Sequence, residues 1–242
     1  MLHSKKVLTS IALATVLGSV LSACGGSSNN NSMPDPVPPV VVPPATMEYQ
    51  VTVTNLTNGQ PLSPVALVLH ETGEIWQIGQ PASLMLETLA ESGDNSGVMG
   101  ADFVLASQSN GAVLPPGMAT DITISTTDAM AMKLSLATML VNTNDAFTGL
   151  NAIDLTTLEV GGMMSFKTGV YDAGTEANSE MANTIPGPAD GGEGLNAARD
   201  DVDFVAMHPG VVSSDDGLMM SVLTGEHKFD NPAMMVKIMR LQ

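Results

Sequence analysis

Short apolar runs, separated every few residues by Gly, Pro, Asn and Asp, make up most of the chain after residue 46. In the first run, Tyr49, Val51 and Val53 alternate with polar residues, which is the pattern of a strand with one buried face. VALVLH has the composition of a buried strand, and further strand candidates are DFVLA, TDITIS, MKLSLATMLV, FVAMH and AMMVKIMRL. Many short strands with regular turns between them are typical of an antiparallel β-sandwich.

One segment has the pattern of a helix instead. Residues 81–92, PASLMLETLAES, begin with Pro81, which is tolerated in a first helical turn, and place Leu84, Met85 and Leu89 on one face. The stretches between the strands carry most of the acidic residues. We therefore predict an all-β fold, an antiparallel β-sandwich with one short helix and long acidic loops.

The chain opens with the three parts of an export signal. MLHSKK is charged, VLTSIALATVLGSVL is apolar but short for a membrane span, and LSAC places small residues before Cys24. Cys24 is the only cysteine, and this arrangement resembles the lipobox of bacterial lipoproteins. The resemblance implies a signal peptide over residues 1–23, a lipid on Cys24, and anchoring in the bacterial cell envelope, at the outer membrane or cell surface. The alternative is an ordinary secretory signal with a chance cysteine.

Residues 24–46 are dense in Gly, Ser, Asn and Pro, as in GGSSNNNSMPDPVPPVVVPP, and have no apolar periodicity. Such sequences behave as flexible coil, and Pro-Pro pairs as extended spacers, so we predict a tether. One domain is expected over residues 47–242. Because no cysteine follows Cys24, that domain has no internal disulfide and depends on its core, on bound metal, or on both.

The chain is strongly acidic once the signal is removed. Six Lys and Arg then remain against 25 Asp and Glu, a net charge of −19. Such a surface repels phosphate backbones and anionic lipid headgroups and attracts divalent cations. We expect no nucleic-acid partner, and membrane contact only through the lipid anchor.

Eighteen methionines against eight aromatic residues raise the alternative of a copper(I) site. Soft-metal sites need thioethers that converge on one point, whereas these methionines are scattered through apolar runs. Methionine fills irregular gaps well, so we expect the methionines in the core.

The loop YDAGTE, residues 171–176, places the carboxylates of Asp172 and Glu176 around a turn that Gly174 allows to close. Calcium takes about six to eight oxygen ligands, so two carboxylates are too few. Asp145, in TNDAFTG, supplies a third if the two loops share one end of the sandwich. Standing alone, so short a motif is more typical of an Asx turn with solvated acids.

Five segments, taken in order, resemble the spondin domain, a module of F-spondin and mindin that also occurs alone in bacterial lipoproteins. The order of the segments is more specific than any one of them. They are YQVTVTNLTNGQPLSP, GQPASLMLETLAESGD, LSLATMLVNTNDAFTGLNAIDL, YDAGTEANSE with NTIPGP, and HKFDNPAMMVKIMRL.

The resemblance implies an antiparallel sandwich with a calcium ion in loops at one end, and a recognition or adhesion role. By position, the acidic sites of the family fall on Asp145, Asp172 and Glu176. The chain departs from the animal proteins in having Ala146 where they tend to have tryptophan, and in lacking their cysteines and thrombospondin repeats. These departures leave the metal site in place but argue against an animal receptor as partner.

Three other acidic stretches, residues 91–97, 190–203 and 213–217, do not follow the helix-loop-helix calcium pattern. We expect them to be solvated loops. The alternative is that Glu91 or Asp94 reaches the metal end as a further ligand.

Motifs of catalysis are absent from the sequence. It has no Gly-x-Ser-x-Gly elbow, no phosphate-binding Gly-rich loop, no His-Glu-x-x-His and no cysteine nucleophile, so we expect no catalytic or cofactor-binding residues and no enzyme. The expected function is a surface-anchored, calcium-binding recognition or adhesion module for an extracellular protein or glycan. The alternatives are a structural envelope lipoprotein with no specific ligand, and a hydrolase with an unrecognised site.

Overall fold

The computed structural model describes residues 45–242, so the predicted signal peptide, Cys24 and nearly all of the tether lie outside the described residues. Residues 45–242 form ten β-strands in two antiparallel sheets and only short helices. The predicted all-β sandwich is confirmed. Within this range, no helix is long and apolar enough to cross a membrane.

The first sheet has four strands, which are hydrogen-bonded in the order β4-β1-β10-β7. Tyr49, Val51 and Val53 in its central strand are fully buried, which confirms the alternating pattern. The four strands are β1 (Met47–Asn55), β4 (Ala119–Thr126), β7 (Met163–Thr168) and β10 (Met234–Arg240).

The second sheet has six strands, in the order β3-β2-β5-β6-β8-β9. Its central strands are buried on both faces, because one face packs against the first sheet and the other is covered by a helix and loops. The six strands are β2 (Ala66–His70), β3 (Val104–Gln108), β5 (Lys133–Met139), β6 (Ala146–Asp154), β8 (Val170–Asp172) and β9 (Ala206–Met207).

The predicted helix forms, but it is shorter than expected and buries a different face. It is α1 (Leu84–Ser92), so Pro81 lies before it, and a second short helix, α2 (Ser96–Met99), follows. Leu89 is buried as predicted, whereas the side chain of Leu84 is 69% exposed. The buried face of α1 packs with Trp76 and Phe147 in a second core outside the sheet.

The expectation that the methionines fill the core is largely wrong. Met139 and Met234 are fully buried, and a few others pack partly against the core. Met219, by contrast, is 91% exposed. Met139 and Met234 lie at strand positions that face the core, whereas the exposed methionines lie in loops or, like Met163 and Met207, at strand positions that face outward. The exposed ones are Met118, Met130, Met163, Met181, Met207, Met219 and Met220.

Candidate metal centre

The end of the second sheet brings the two predicted acidic loops together. β6 and β8 pair with Ala146 opposite Asp172, so Asp145, directly before β6, lies beside the end of β8. The backbone carbonyl of Asp145 also accepts the N–H of Ala173 at 3.3 Å. The two loops therefore lie at the same end of the sandwich.

Asp145 holds the Thr175–Glu176 turn through one carboxylate oxygen. Its Oδ2 accepts the N–H of Thr175 at 2.8 Å, the N–H of Glu176 at 3.1 Å and the hydroxyl of Thr175 at 3.2 Å. Its Oδ1 is buried and has no hydrogen-bond partner among residues 45–242. Burial and then the charge of Asp172 raise the pKa of Asp145 to about 7, in spite of the three donors.

Asp172 is also buried, and both of its oxygens accept hydrogen bonds. Its Oδ1 accepts the N–H of Gly174 at 2.7 Å, and its Oδ2 accepts Nδ2 of Asn178 at 2.6 Å. The first bond spans two residues, which is the geometry of an Asx turn. YDAGTE therefore contains an Asx turn, but its acids are buried rather than solvated.

Glu176 points inward from the same turn, and its side chain lies close to Asn144. Its Oε1 accepts Nδ2 of Asn144 at 2.8 Å, while its Oε2 is buried without a partner in the described part of the chain. Burial raises the pKa of Glu176 to about 7, and the charges of Glu91, Glu193 and Asp200 act in the same direction.

Glu91, in the last turn of α1, is a fourth buried carboxylate of this cluster. Its Oε2 accepts the N–H of Asn196 at 2.7 Å, and its Oε1 has no partner within residues 45–242. It lies beside Thr175, and burial raises its pKa. The expectation that residues 91–97 are solvated is therefore wrong for Glu91. Asp94 is exposed and accepts the N–H of Ser96 at 2.9 Å at the start of α2.

Gly174 allows the turn to fold back beneath the segment from Asp200 to Phe204. Its φ is +71°, and a Cβ here would collide with the backbone of Phe204. The N–H of Asp203 donates to the carbonyl of Gly174 at 2.7 Å, and that of Asp200 to Thr175 at 3.2 Å. The acidic segment is thereby tied to the turn.

Residues 190–203 are thus not the freely solvated loop that was expected. Asp190 accepts the N–H of Asn183 at 2.6 Å, and Asp200 accepts that of Ala177 at 2.9 Å. Arg199 pairs with Glu87 at 2.5 Å and with Asp203 at 2.7 Å. The acidic side chains of this segment accept backbone N–H groups of other loops, and Arg199 pairs with Glu87 of α1. These contacts hold the segment in place beside the carboxylate cluster.

Three buried oxygens of the cluster, Oε1 of Glu91, Oδ1 of Asp145 and Oε2 of Glu176, lack a donor within residues 45–242. Carboxylate oxygens are the ligands that calcium prefers, and unpaired buried carboxylates are costly. As placed, however, no group of three or more His, Cys, Asp or Glu side chains in the described residues could hold one metal ion. The residue types suit calcium, but the carboxylate oxygens of the cluster must move closer to one another before they can share one ion.

A serine and a histidine that are far apart in sequence also meet. Nε2 of His70 lies 2.8 Å from Oγ of Ser135, and Nδ1 lies 3.0 Å from the carbonyl of Thr72. A nucleophile, a base and an orienting group can have this arrangement. Both side chains are fully buried, however, and no pocket opens among residues 45–242. The pair satisfies hydrogen bonds inside the second sheet.

No protein-family model matches this chain, and no curated protein matches it either. The resemblance to the spondin domain therefore rests on the five sequence segments alone.

Proposed function

We propose that the chain is a calcium-binding recognition or adhesion module of the spondin type, anchored in the bacterial envelope by lipid on Cys24. The observation that carries the calcium part is the set of buried carboxylate oxygens without donors on Glu91, Asp145 and Glu176. The recognition role comes from the family resemblance, and the anchor comes from the lipobox pattern.

The electrostatics of the cluster favour a cation. Burial raises the pKa values of Asp145 and Glu176, and the charges of Asp172 and Glu91, respectively, raise them further. Arg199, the nearby cation, is already paired with carboxylates other than these four. A divalent ion offsets the mutual repulsion and supplies the partner that the buried oxygens lack.

The elements that contribute these carboxylates explain how one ion could order a binding surface. The β5–β6 turn, the turn after β8, the end of α1 and the segment of residues 190–203 all meet at the cluster. An ion bound there would hold four separate parts of the chain in one arrangement. Loops held in this way form the recognition surface of the proposed module.

The deciding experiment is a calcium titration of the melting temperature of the full chain in detergent. An ion that binds only the folded state stabilises it by RT ln(1 + [L]/Kd), about 2.7 kcal/mol at a hundredfold excess over Kd. Magnesium should act more weakly, because it requires a small octahedral site and keeps its water. The calcium proposal fails if millimolar calcium leaves the melting temperature unchanged.

The recognition role is separated from a purely structural one by binding the chain to arrays of matrix proteins and glycans, with calcium and with chelator. Calcium-dependent binding supports the module, whereas a calcium-dependent melting temperature without any ligand supports the structural lipoprotein.

We propose no enzymatic activity, because the His70–Ser135 pair is buried. Turnover in a hydrolase substrate panel that is lost in Ser135→Ala would contradict this part of the proposal.

A further inference from the structure

A chain of three hydrogen bonds runs from the backbone after β9 to the carboxylate of Asp172. The N–H of Gly210 donates to Nδ1 of His208 at 2.9 Å, and Nε2 of His208 lies 3.0 Å from Oδ1 of Asn178. Nδ2 of Asn178 then donates to Oδ2 of Asp172 at 2.6 Å.

The chemistry of the groups fixes the direction of every bond. The carboxylate of Asp172 can only accept, so Asn178 must present its Nδ2 to it and its Oδ1 to the ring. Nε2 of His208 must therefore carry the proton. Nδ1 is left with a lone pair, which the N–H of Gly210 uses. The ring is neutral and has one defined tautomer.

His208 is held rigidly in this position. Its side chain is buried, and its ring lies against Phe229 with the ring centres 5.3 Å apart. Its backbone N–H donates to the carbonyl of Val170 at 3.0 Å, which fixes it to the strand that ends at Asp172. A rigid ring transmits its orientation to Asn178 and so to the carboxylate.

We propose that His208 is a positioning residue for the cation site: it fixes the amide of Asn178, which in turn fixes the carboxylate of Asp172. The inference rests on the proposed calcium site. Asn178 occupies one lone pair of Oδ2 and the N–H of Gly174 one of Oδ1, which leaves one lone pair free on each oxygen. Asn178 thereby sets the angle at which Asp172 meets a cation. Loss of such an outer partner typically lowers metal affinity by roughly 10–100-fold.

The test is calorimetric titration of the full chain in detergent with calcium chloride. His208→Ala should weaken binding at least tenfold, and His208→Gln should restore most of it, because its Nε2 amide can donate to Asn178. Asn178→Ala should weaken binding similarly. The double variant should bind no more weakly than Asn178→Ala, because His208 acts through Asn178. His227→Ala, at a histidine that contacts Thr224 instead, is the matched control and should bind like the wild type.

Two results with these variants would overturn the proposal. In one, His208→Ala and Asn178→Ala lower the melting temperature in chelator but keep the wild-type Kd, so that both residues only support the fold. In the other, the effects of the two substitutions on Kd add independently in the double variant. Nitrogen resonances of the His208 ring give a readout that needs no calcium, and a proton on Nδ1 would also exclude the relay. If the wild type shows the Nε2–H tautomer and binds no calcium, the hydrogen-bond chain stands, but the calcium site and the role proposed for His208 fail together.

Discussion

Oδ2 of Asp145 accepts the backbone N–H of Thr175 at 2.8 Å, although the two residues are thirty positions apart. The bond holds the YDAGTE turn in shape without an ion. Replacement of Asp145 therefore acts on the turn as well as on the charge of the cluster. Asparagine keeps an acceptor for the turn and removes only the charge, so it is the informative substitution.

The metal-free protein should lose stability as the pH rises from about 4 to above 7. In the folded state, the pKa values of Asp145 and Glu176 are raised to about 7, whereas in the unfolded chain these groups ionise near 4. The unfolded state therefore releases protons first, and the free energy of unfolding falls across this window. The measurement is denaturant unfolding in chelator at several pH values.

Glu176→Gln isolates this effect from other titrating groups. Burial lowers the pKa of His70. This shift contributes stability that is lost as the pH falls below about 6.5, so its effect on the pH dependence is opposite to that of Glu176. Relative to the wild type, Glu176→Gln should gain on the order of 1–3 kcal/mol at pH 7.5 and little at pH 4.5. The exposed Glu159→Gln is the control and should show no such difference.

Gly174→Ala should destabilise the protein and weaken calcium binding. Its positive φ alone costs roughly 1 kcal/mol in alanine, and the collision of the new Cβ with Phe204 adds to that cost. Gly117 has the same φ of +71° and open space around it, so Gly117→Ala measures the cost of the backbone alone. Equal losses of stability in the two variants would contradict close packing at Gly174.

The sequence predicted β1, whose side chains alternate, and missed β6, whose packing depends on the backbone. β1 was predicted because Val51 and Val53 alternate with polar residues. β6 was missed because its centre is Gly149, where a Cβ would collide with the carbonyl of Leu136 across the sheet. Such a close approach is a tertiary feature that gives no local pattern.

The residues of the candidate site were also only partly predictable from the sequence. Asp145 and Asp172 could be placed together from a resemblance and turn chemistry, whereas the burial of Glu91 could not. A glutamate at the end of an amphipathic helix is normally solvated, and only the covering segment around Asn196 buries it. Glu87 and Glu91, four residues apart in α1, both lie on its buried face, and no local pattern in the sequence indicates this.

The lipid anchor predicted at Cys24 is tested by metabolic labelling with a fatty acid. Three acyl chains contribute about 0.8 kcal/mol per buried methylene, which makes such an anchor effectively stable. Cys24→Ser has no thiol to modify, so it should carry no label and should leave the membrane fraction. Label retained by Cys24→Ser would contradict the lipoprotein assignment.

The acidic surface should exclude polyanions. We expect no retention of the delipidated chain on DNA or heparin resin, and no binding to anionic vesicles, at physiological salt and in chelator, because its 25 carboxylates face only six Lys and Arg. Salt-sensitive retention on either resin would show a basic surface that the charge count does not predict.

The proposed calcium ligands are tested together by titrating the melting temperature of matched variants. If calcium at a hundredfold excess over Kd adds about 2.7 kcal/mol, the melting temperature of a domain of this size rises by roughly 5–10 °C. Asp172→Asn and Asp145→Asn should abolish most of that rise, because each removes one charged ligand. In chelator Asp145→Asn should be at least as stable as the wild type, because it removes repulsion within the cluster and its Oδ1 has no donor to lose. Asp172→Asn also removes repulsion but loses a hydrogen bond, because both oxygens of Asp172 accept one.

The control for these variants is Asp102→Asn, since Asp102 is exposed. Asp190, although its loop was expected to be solvated, is unsuitable because its carboxylate accepts the N–H of Asn183. Asp102→Asn should keep the whole calcium-dependent rise. A full rise in Asp172→Asn would show that YDAGTE is only an Asx turn. If Asp145→Asn is less stable than the wild type in chelator but keeps the full calcium-dependent rise, Asp145 serves the turn and not the ion.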